Sequence, residues 1–190
     1  MTGRLIVVSN RIPTEAEPSG GLVVALHDCL TAAGGVWIGT SGTPVTQPEP
    51  ELRQIAQGAY TRMVFDISEA EHEGYYLGYA NSVLWPLFHR RADLMHVQPD
   101  YADHYMAVNT RLADMLDDFA QPDDLLWIHD YHFLPLAALL RERGVTCRIG
   151  FFLHIPMPPS QVMSDVPEHE SLQRSYYSYD LIGFQTSADN

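Results

Sequence analysis

Several residues in this sequence have side chains suited to holding an anionic, hydroxyl-rich ligand. Arg11 directly follows an apolar run, and its guanidinium can grip a phosphate through two parallel hydrogen bonds. A surface arginine paired with Glu15 or Glu17 fits the same position equally well. All 11 basic residues are arginine, because the chain has no lysine. That excludes a Schiff-base lysine, a P-loop lysine and a lysine general base. Any bound phosphate must be held by arginine, by backbone N–H groups or by both. Gly20 and Gly21 stand where a helical pattern opens, with bare N–H groups at the positive end of a helix dipole. They suit a diphosphate or simply a tight turn, and no G-x-G-x-x-G accompanies them. Asp130 follows four apolar residues and can accept hydrogen bonds from sugar hydroxyls, act as a base, or cap a helix beginning near Phe133. His154 ends another apolar run; a neutral imidazole there can bond a hydroxyl or be satisfied by backbone. Tyr76 and Trp85 offer aromatic faces that pack on sugar rings or in a core. The cluster His129-Asp130-Tyr131-His132 matches no zinc spacing, so no metal is expected.

The elements that must position these residues alternate. Leu5–Ser9, Val36–Ile38, Thr61–Ile67, Leu125–Ile128, Arg148–Leu153 and Leu181–Phe184 read as strands. A helical stripe runs through Leu22, Leu26, Cys29, Leu30 and Ala33, and a clearer one from Asp100 to Phe119. Phe133–Arg143, ended by Gly144, and Glu168–Tyr177 read as further helices. Residues 41–58 are rich in Pro, Gln, Thr and Glu and read as a surface excursion; 68–88 read as aromatic and short-helical. Pro156, Pro158 and Pro159 exclude regular structure around them. The alternation predicts an α/β fold with a largely parallel sheet and helices on both faces. In such sheets ligands bind at the carboxyl ends of the strands. Ser9, Asn10, Arg11, Thr40, Ser41, His129, Asp130 and His154 should therefore meet on one rim.

The bulk composition agrees with a globular chain: 190 residues, 46% hydrophobic and 18% charged. The formal charge of -13 argues against nucleic acid or an anionic membrane as partner. Cys29 and Cys147 form no C-x-x-C pair and read as buried small hydrophobes. The first apolar run is too short for a signal peptide or a spanning helix, so a cytoplasmic location is expected. The chain stops at Asn190, just after a strand, which reads as the first part of a longer protein.

Taken in order, Leu5–Arg11, Gly20-Gly21-Leu22, Tyr75-Tyr76, Ser82–Pro86, Trp127–His132, Arg148–Pro156 and Gly183–Thr186 resemble the trehalose-6-phosphate synthases. These are retaining glycosyltransferases with two facing Rossmann-like domains, the GT-B arrangement. The resemblance implies that residues 1–190 are the N-terminal, acceptor-side domain and that the second domain is absent. It implies glucose transfer from UDP-glucose (or another nucleotide-glucose) to glucose 6-phosphate, with no cofactor, no metal and no covalent enzyme intermediate. Asp130 and His154 would be the catalytic pair. Arg11, Tyr76, Trp85 and Asp130 would hold the acceptor; Gly20, Gly21 and His154 would hold the donor. The residues agree insofar as one placed carboxylate stands out, not the close pair of a covalent glycosidase. Thr40 stands where the family usually shows a tryptophan, which puts the acceptor in question. A synthase using another phosphorylated acceptor, such as glycerol 3-phosphate, and a non-catalytic sugar-phosphate-binding module are the alternatives. The isolated chain is expected to bind weakly, not to turn over, and to self-associate through its open half-cleft.

Overall fold

Alternation along the first strand sorts its side chains onto two cores. Ile6 and Val8 enter the larger one, and Val7 enters the smaller one with Trp37, Val64, Leu26 and Leu30. The computed structural model describes residues 3–13, 21–164, 166 and 168–185. Among them seven strands form one sheet: β1 (Leu5–Arg11), β2 (Val36–Thr40), β3 (Arg53–Gln57), β4 (Thr61–Phe65), β5 (Leu125–His129), β6 (Arg148–Leu153) and β7 (Leu181–Phe184). Their order is β3-β4-β2-β1-β5-β6-β7, and every pairing is parallel except β3 with β4. The chain winds outward from β1 in one direction through β2 and β4, then resumes beside β1 with β5. The strand order therefore reverses at β1/β5, where an open α/β sheet leaves its crevice.

Helices cover both faces, as the pattern predicts. Gly21–Ala33 packs Leu26 and Leu30 on the smaller core. The other face carries Tyr101–Phe119, Leu136–Glu142 and His169–Ser175, with the helical run that follows Ser68. Buried Asp124 fastens the starts of β1 and β5: it accepts from the Arg4 backbone N–H at 2.7 Å and from the Arg4 guanidinium at 2.6 Å. Burial alone would raise its pKa, but Arg4 and the N–H groups outweigh that and hold the carboxyl below its usual range.

Four expectations need correction. The excursion at 41–58 contains β3, an edge strand whose residues are mostly exposed. A short helix, Ser160–Met163, starts immediately after Pro159, where proline no longer forbids it. Cys29 is only half-buried, because it sits at the flank of the Leu26/Leu30 stripe; Cys147 is buried as expected. The stretch 68–88 is one unbroken helical run rather than short helices. Ser68 opens it with a capping box to Glu71, and Glu71 in turn pairs with Arg111.

Most of that run, His72–Leu84, is π-helical, with i→i+5 bonding kept up to the Trp85 N–H, which donates to the Ala80 carbonyl. Burial follows the wider repeat: Gly74–Tyr75, Gly78–Ala80, Val83–Leu84 and Pro86–Phe88 face the core. Gly74 and Gly78 let the helix Tyr101–Phe119 approach. A Cβ on Gly74 would lie 2.6 Å from His104 Cγ and 2.8 Å from its Cβ. Gly74→Ala gains up to about 1 kcal/mol of helix propensity. Overpacking costs about 1–3 kcal/mol, so the net effect is destabilising. The urea midpoint is expected to fall, and His104→Ala in the same chain to recover only part of the loss, since the close Cβ at position 104 stays. An unchanged midpoint in the single variant would contradict the close approach.

Candidate active site

Arg11 reaches the rim because β1 is bulged. Its register with β2 runs Ile6–Val36, Val7–Trp37, Val8–Ile38, then jumps to Arg11–Thr40. One extra residue in β1 turns Arg11 onto the face of Thr40 and the larger core; regular alternation would point it the other way. Side chains hold the bulge. Trp37 Nε1 donates to Ser9 Oγ at 2.8 Å, and Ser9 Oγ donates to the Arg11 carbonyl at 2.8 Å. Thr40 Oγ1 donates to the Asn10 carbonyl at 2.8 Å, and the Tyr75 hydroxyl to Asn10 Oδ1 at 3.1 Å.

The redirected guanidinium enters a cavity of about 270 Å³ that Asn10, Thr40, His72 and Tyr76 help to line. Arg11 Nη2 donates to the Tyr76 hydroxyl at 2.8 Å, with its Cζ 5.7 Å from the ring centre. Among the described residues Arg11 meets no carboxylate; Glu15 and Glu17 lie outside them. Behind Tyr76 lies His132, stacked at 6.0 Å and 18°. Burial, and then the Arg11 charge, push His132 down to about 3, so it stays neutral beside the cation. Thr40 is buried with its hydroxyl committed to Asn10, and its small side chain leaves the cavity open on that side.

Trp85 does not line this cavity. It is exposed and stacks on His89 at 4.1 Å. The π-helix nevertheless puts it on the face of Tyr76. The two stand nine positions apart: two turns where turns take four and five residues, but two and a half turns of an α-helix, which would set them on opposite faces. Asn81 sits between them on that face and accepts from the Tyr131 hydroxyl at 3.2 Å.

Asp130 stands two residues beyond the last β1–β5 pair, Val8–Ile128, so it leaves the sheet beside Asn10. Its backbone has φ 71° and ψ 166°, a region occupied almost only by glycine, at a cost of about 1–3 kcal/mol. Asp130 does occupy the N-cap position of the short helix Tyr131–Phe133, one of the roles open to it, but its carboxylate makes no side-chain cap bond there and accepts from the His154 N–H at 3.3 Å. Burial drives Asp130 up to about 6, against the pull of the His154 and Tyr131 N–H groups.

His154, at the end of β6, is half-buried, and its Nε2 lies 2.9 Å from Nδ1 of the buried His129. Burial lowers both rings, His129 to about 3 with His154 adding to its shift. Gly21 begins its helix with nothing among the described residues within 4 Å of where a Cβ would sit. Gly20 lies outside the described residues. The rim thus brings Arg11, Tyr76, Asp130 and His154 to the strand ends and leaves Trp85 two turns farther along the helix. The sequence places His129 on the rim and in a rejected metal cluster, but gives it no role in the site. No group of three or more His, Cys, Asp or Glu among the described residues could hold a metal ion.

A doubly wound α/β domain with an arginine-bearing cavity at the carboxyl end of its central strand β1 carries its candidate site at the end of the sheet where such folds bind ligands. The glycosyltransferase family 20 model matches residues 4–190, and the chain belongs to that family. It is 48% identical to a trehalose-6-phosphate synthase of Enterobacter sp. (strain 638), over 98% of this chain and 40% of the relative. A UDP-forming trehalose-phosphate synthase from Burkholderia xenovorans, solved in complex with glucose 6-phosphate, superimposes with a TM-score of 0.91 at 43% identity, covering 98% of this chain and 41% of that one. An E. coli trehalose-6-phosphate protein bound with UDP-2-fluoro glucose superimposes at 0.89 with 46% identity, over 98% and 41%. The chain therefore spans about 40% of the length of the curated relatives it matches.

Proposed function

We propose that this chain is the acceptor-side part of an α,α-trehalose-phosphate synthase that transfers glucose from UDP-glucose to glucose 6-phosphate with retention. The observation that carries this is Arg11, turned by the β1 bulge into a cavity it shares with Tyr76. Arg11 and the Tyr76 hydroxyl bind the acceptor phosphate, and the aromatic face continued toward Trp85 packs along the sugar. Asp130 accepts hydrogen bonds from acceptor hydroxyls near the reacting oxygen. His154 and the start of the Gly21 helix meet the donor, and Gly20 shares that role. The likeness to relatives solved with glucose 6-phosphate and with a UDP-glucose analogue supports the assignment of both substrates.

Catalysis in this reading is positioning plus electrostatics, with the donor's leaving phosphate taking the acceptor proton on the same face. No cofactor, nucleic acid or membrane takes part, and among the described residues no helix is long and apolar enough to cross one. The location is cytoplasmic. The exposed Tyr177 and Leu181 support self-association.

The test is calorimetry on this chain with glucose 6-phosphate and with glycerol 3-phosphate, followed by a product assay with UDP-glucose. Weak binding that favours glucose 6-phosphate, without turnover, is expected. Preference for glycerol 3-phosphate would move the acceptor assignment, and binding of neither would remove it. Trehalose 6-phosphate made by this chain alone would overturn the half-site reading.

A further inference from the structure

His129 is 1% exposed, and none of the roles above uses it. Its Nδ1 lies 2.9 Å from His154 Nε2, with the rings stacked at 5.2 Å and 26°. Its other nitrogen, Nε2, is buried with no partner among the described residues, near the rings of Trp127 at 4.5 Å and Phe152 at 6.4 Å. Both imidazoles are neutral near pH 7, because burial lowers them. Two neutral imidazoles joined by one hydrogen bond have two arrangements. In one, His154 donates Nε2–H to His129, and His129 must then carry its own proton on the partnerless Nε2. In the other, His129 donates Nδ1–H, and its buried Nε2 is a bare lone pair. An orphaned buried N–H is the rarer and costlier defect, so the second arrangement is favoured.

We propose that His129 is a positioning residue: by donating Nδ1–H to His154 Nε2 it fixes His154 in the tautomer that carries its proton on Nδ1, as a hydrogen-bond donor at the rim. His154 is half-buried at the strand ends, and its hydrogen bonds among the described residues use Nε2 and the backbone N–H, which leaves Nδ1 to a ligand. It suits a sugar hydroxyl oxygen acting as acceptor, a consequence that rests on the donor-side role given to His154 above. Ring orientation is set by the same contact. His129 sits at the end of β5 and His154 just after β6, and the strands pair up to His129–Phe152.

The test is imidazole 15N NMR on the 15N-histidine-labelled chain without ligand, so it reads the tautomer whether or not the functional reading holds. The expected wild-type spectrum has His154 protonated on Nδ1, with Nε2 at the position of an unprotonated, hydrogen-bonded nitrogen. His129→Leu should shift the His154 Nε2 resonance toward the protonated position as the Nε2–H tautomer becomes populated. His129→Asn, whose side-chain amide N–H can stand in for Nδ1–H, should restore the wild-type pattern. Wild-type His154 protonated on Nε2 overturns the proposal. So does a His154 tautomer that His129→Leu leaves unchanged. If His129→Leu does not fold, the wild-type and His129→Asn spectra alone decide.

Discussion

Arg11→Ala is expected to weaken glucose 6-phosphate binding by about 2–3 kcal/mol, roughly 30- to 150-fold, since hydrogen bonds to charged groups are worth about 1.5–3 kcal/mol. The guanidinium is exposed, donates to Tyr76 and faces the cavity without a carboxylate partner among the described residues. Removing it should cost binding and little stability. Tyr76→Phe should cost less than about 1.5 kcal/mol, because it removes a neutral hydroxyl and keeps the ring on His132. Calorimetry with glucose 6-phosphate measures both, and urea unfolding checks that Arg11→Ala leaves the midpoint in place. The wild-type affinity should also fall with added salt, and the variant's much less. If Arg11→Ala binds as tightly as wild type, the phosphate site lies elsewhere.

Asp130→Asn is expected to stabilise the chain at pH 7–8 while weakening the acceptor site. The sign follows from linkage. An unfolded aspartate titrates near 3.9, whereas Asp130 in the folded chain is raised to about 6. Between those values the folded state holds a proton that the unfolded state has released. The stability this group contributes is complete below about pH 4 and is lost as pH rises through 6. A shift of about two units corresponds to about 3 kcal/mol at most, at 1.36 kcal/mol per unit. Asparagine keeps the acceptor for the His154 N–H and has no charge to desolvate. Its advantage should therefore be largest at pH 8 and close to nothing at pH 4. Asp130→Gly would add relief of the positive φ, about 1–3 kcal/mol, against roughly 0.5–1 kcal/mol of glycine entropy. Urea unfolding at the two pH values reads the effect. An Asp130→Asn gain that is equal at pH 4 and pH 8 would show that the carboxylate is not held above its ordinary range.

The parts of this site that were legible in the sequence are the local ones. Continuous apolar runs marked β1, β5 and β6, and the polar residues ending them marked Arg11, Asp130 and His154, because a buried parallel strand writes its boundaries in polarity. β3 was not legible: Arg53, Gln54 and Gln57 are exposed edge residues with no apolar face to show a period. The β1 bulge leaves no mark either, since Ser9 and Asn10 look like any polar strand end until Trp37 and Tyr75 are seen holding them. Asp130 gave no sign of its positive φ, since an aspartate at a strand end reads the same in sequence whatever its backbone angle. The His129–His154 bond joins residues 25 apart that meet only once β5 and β6 pair in register.

The π-helical repeat between His72 and Leu84 means that the aromatic wall is encoded as a count as much as a composition. Tyr76 and Trp85 share a face only while nine positions close two turns. Losing one residue between them would rotate one ring away from the other and leave every remaining side chain unchanged. Away from Gly74 and Gly78, such a site tolerates exchanges of residue type along the helix better than changes in its length. Family members that keep both aromatics but differ in the spacing between them would have to build this wall from something else.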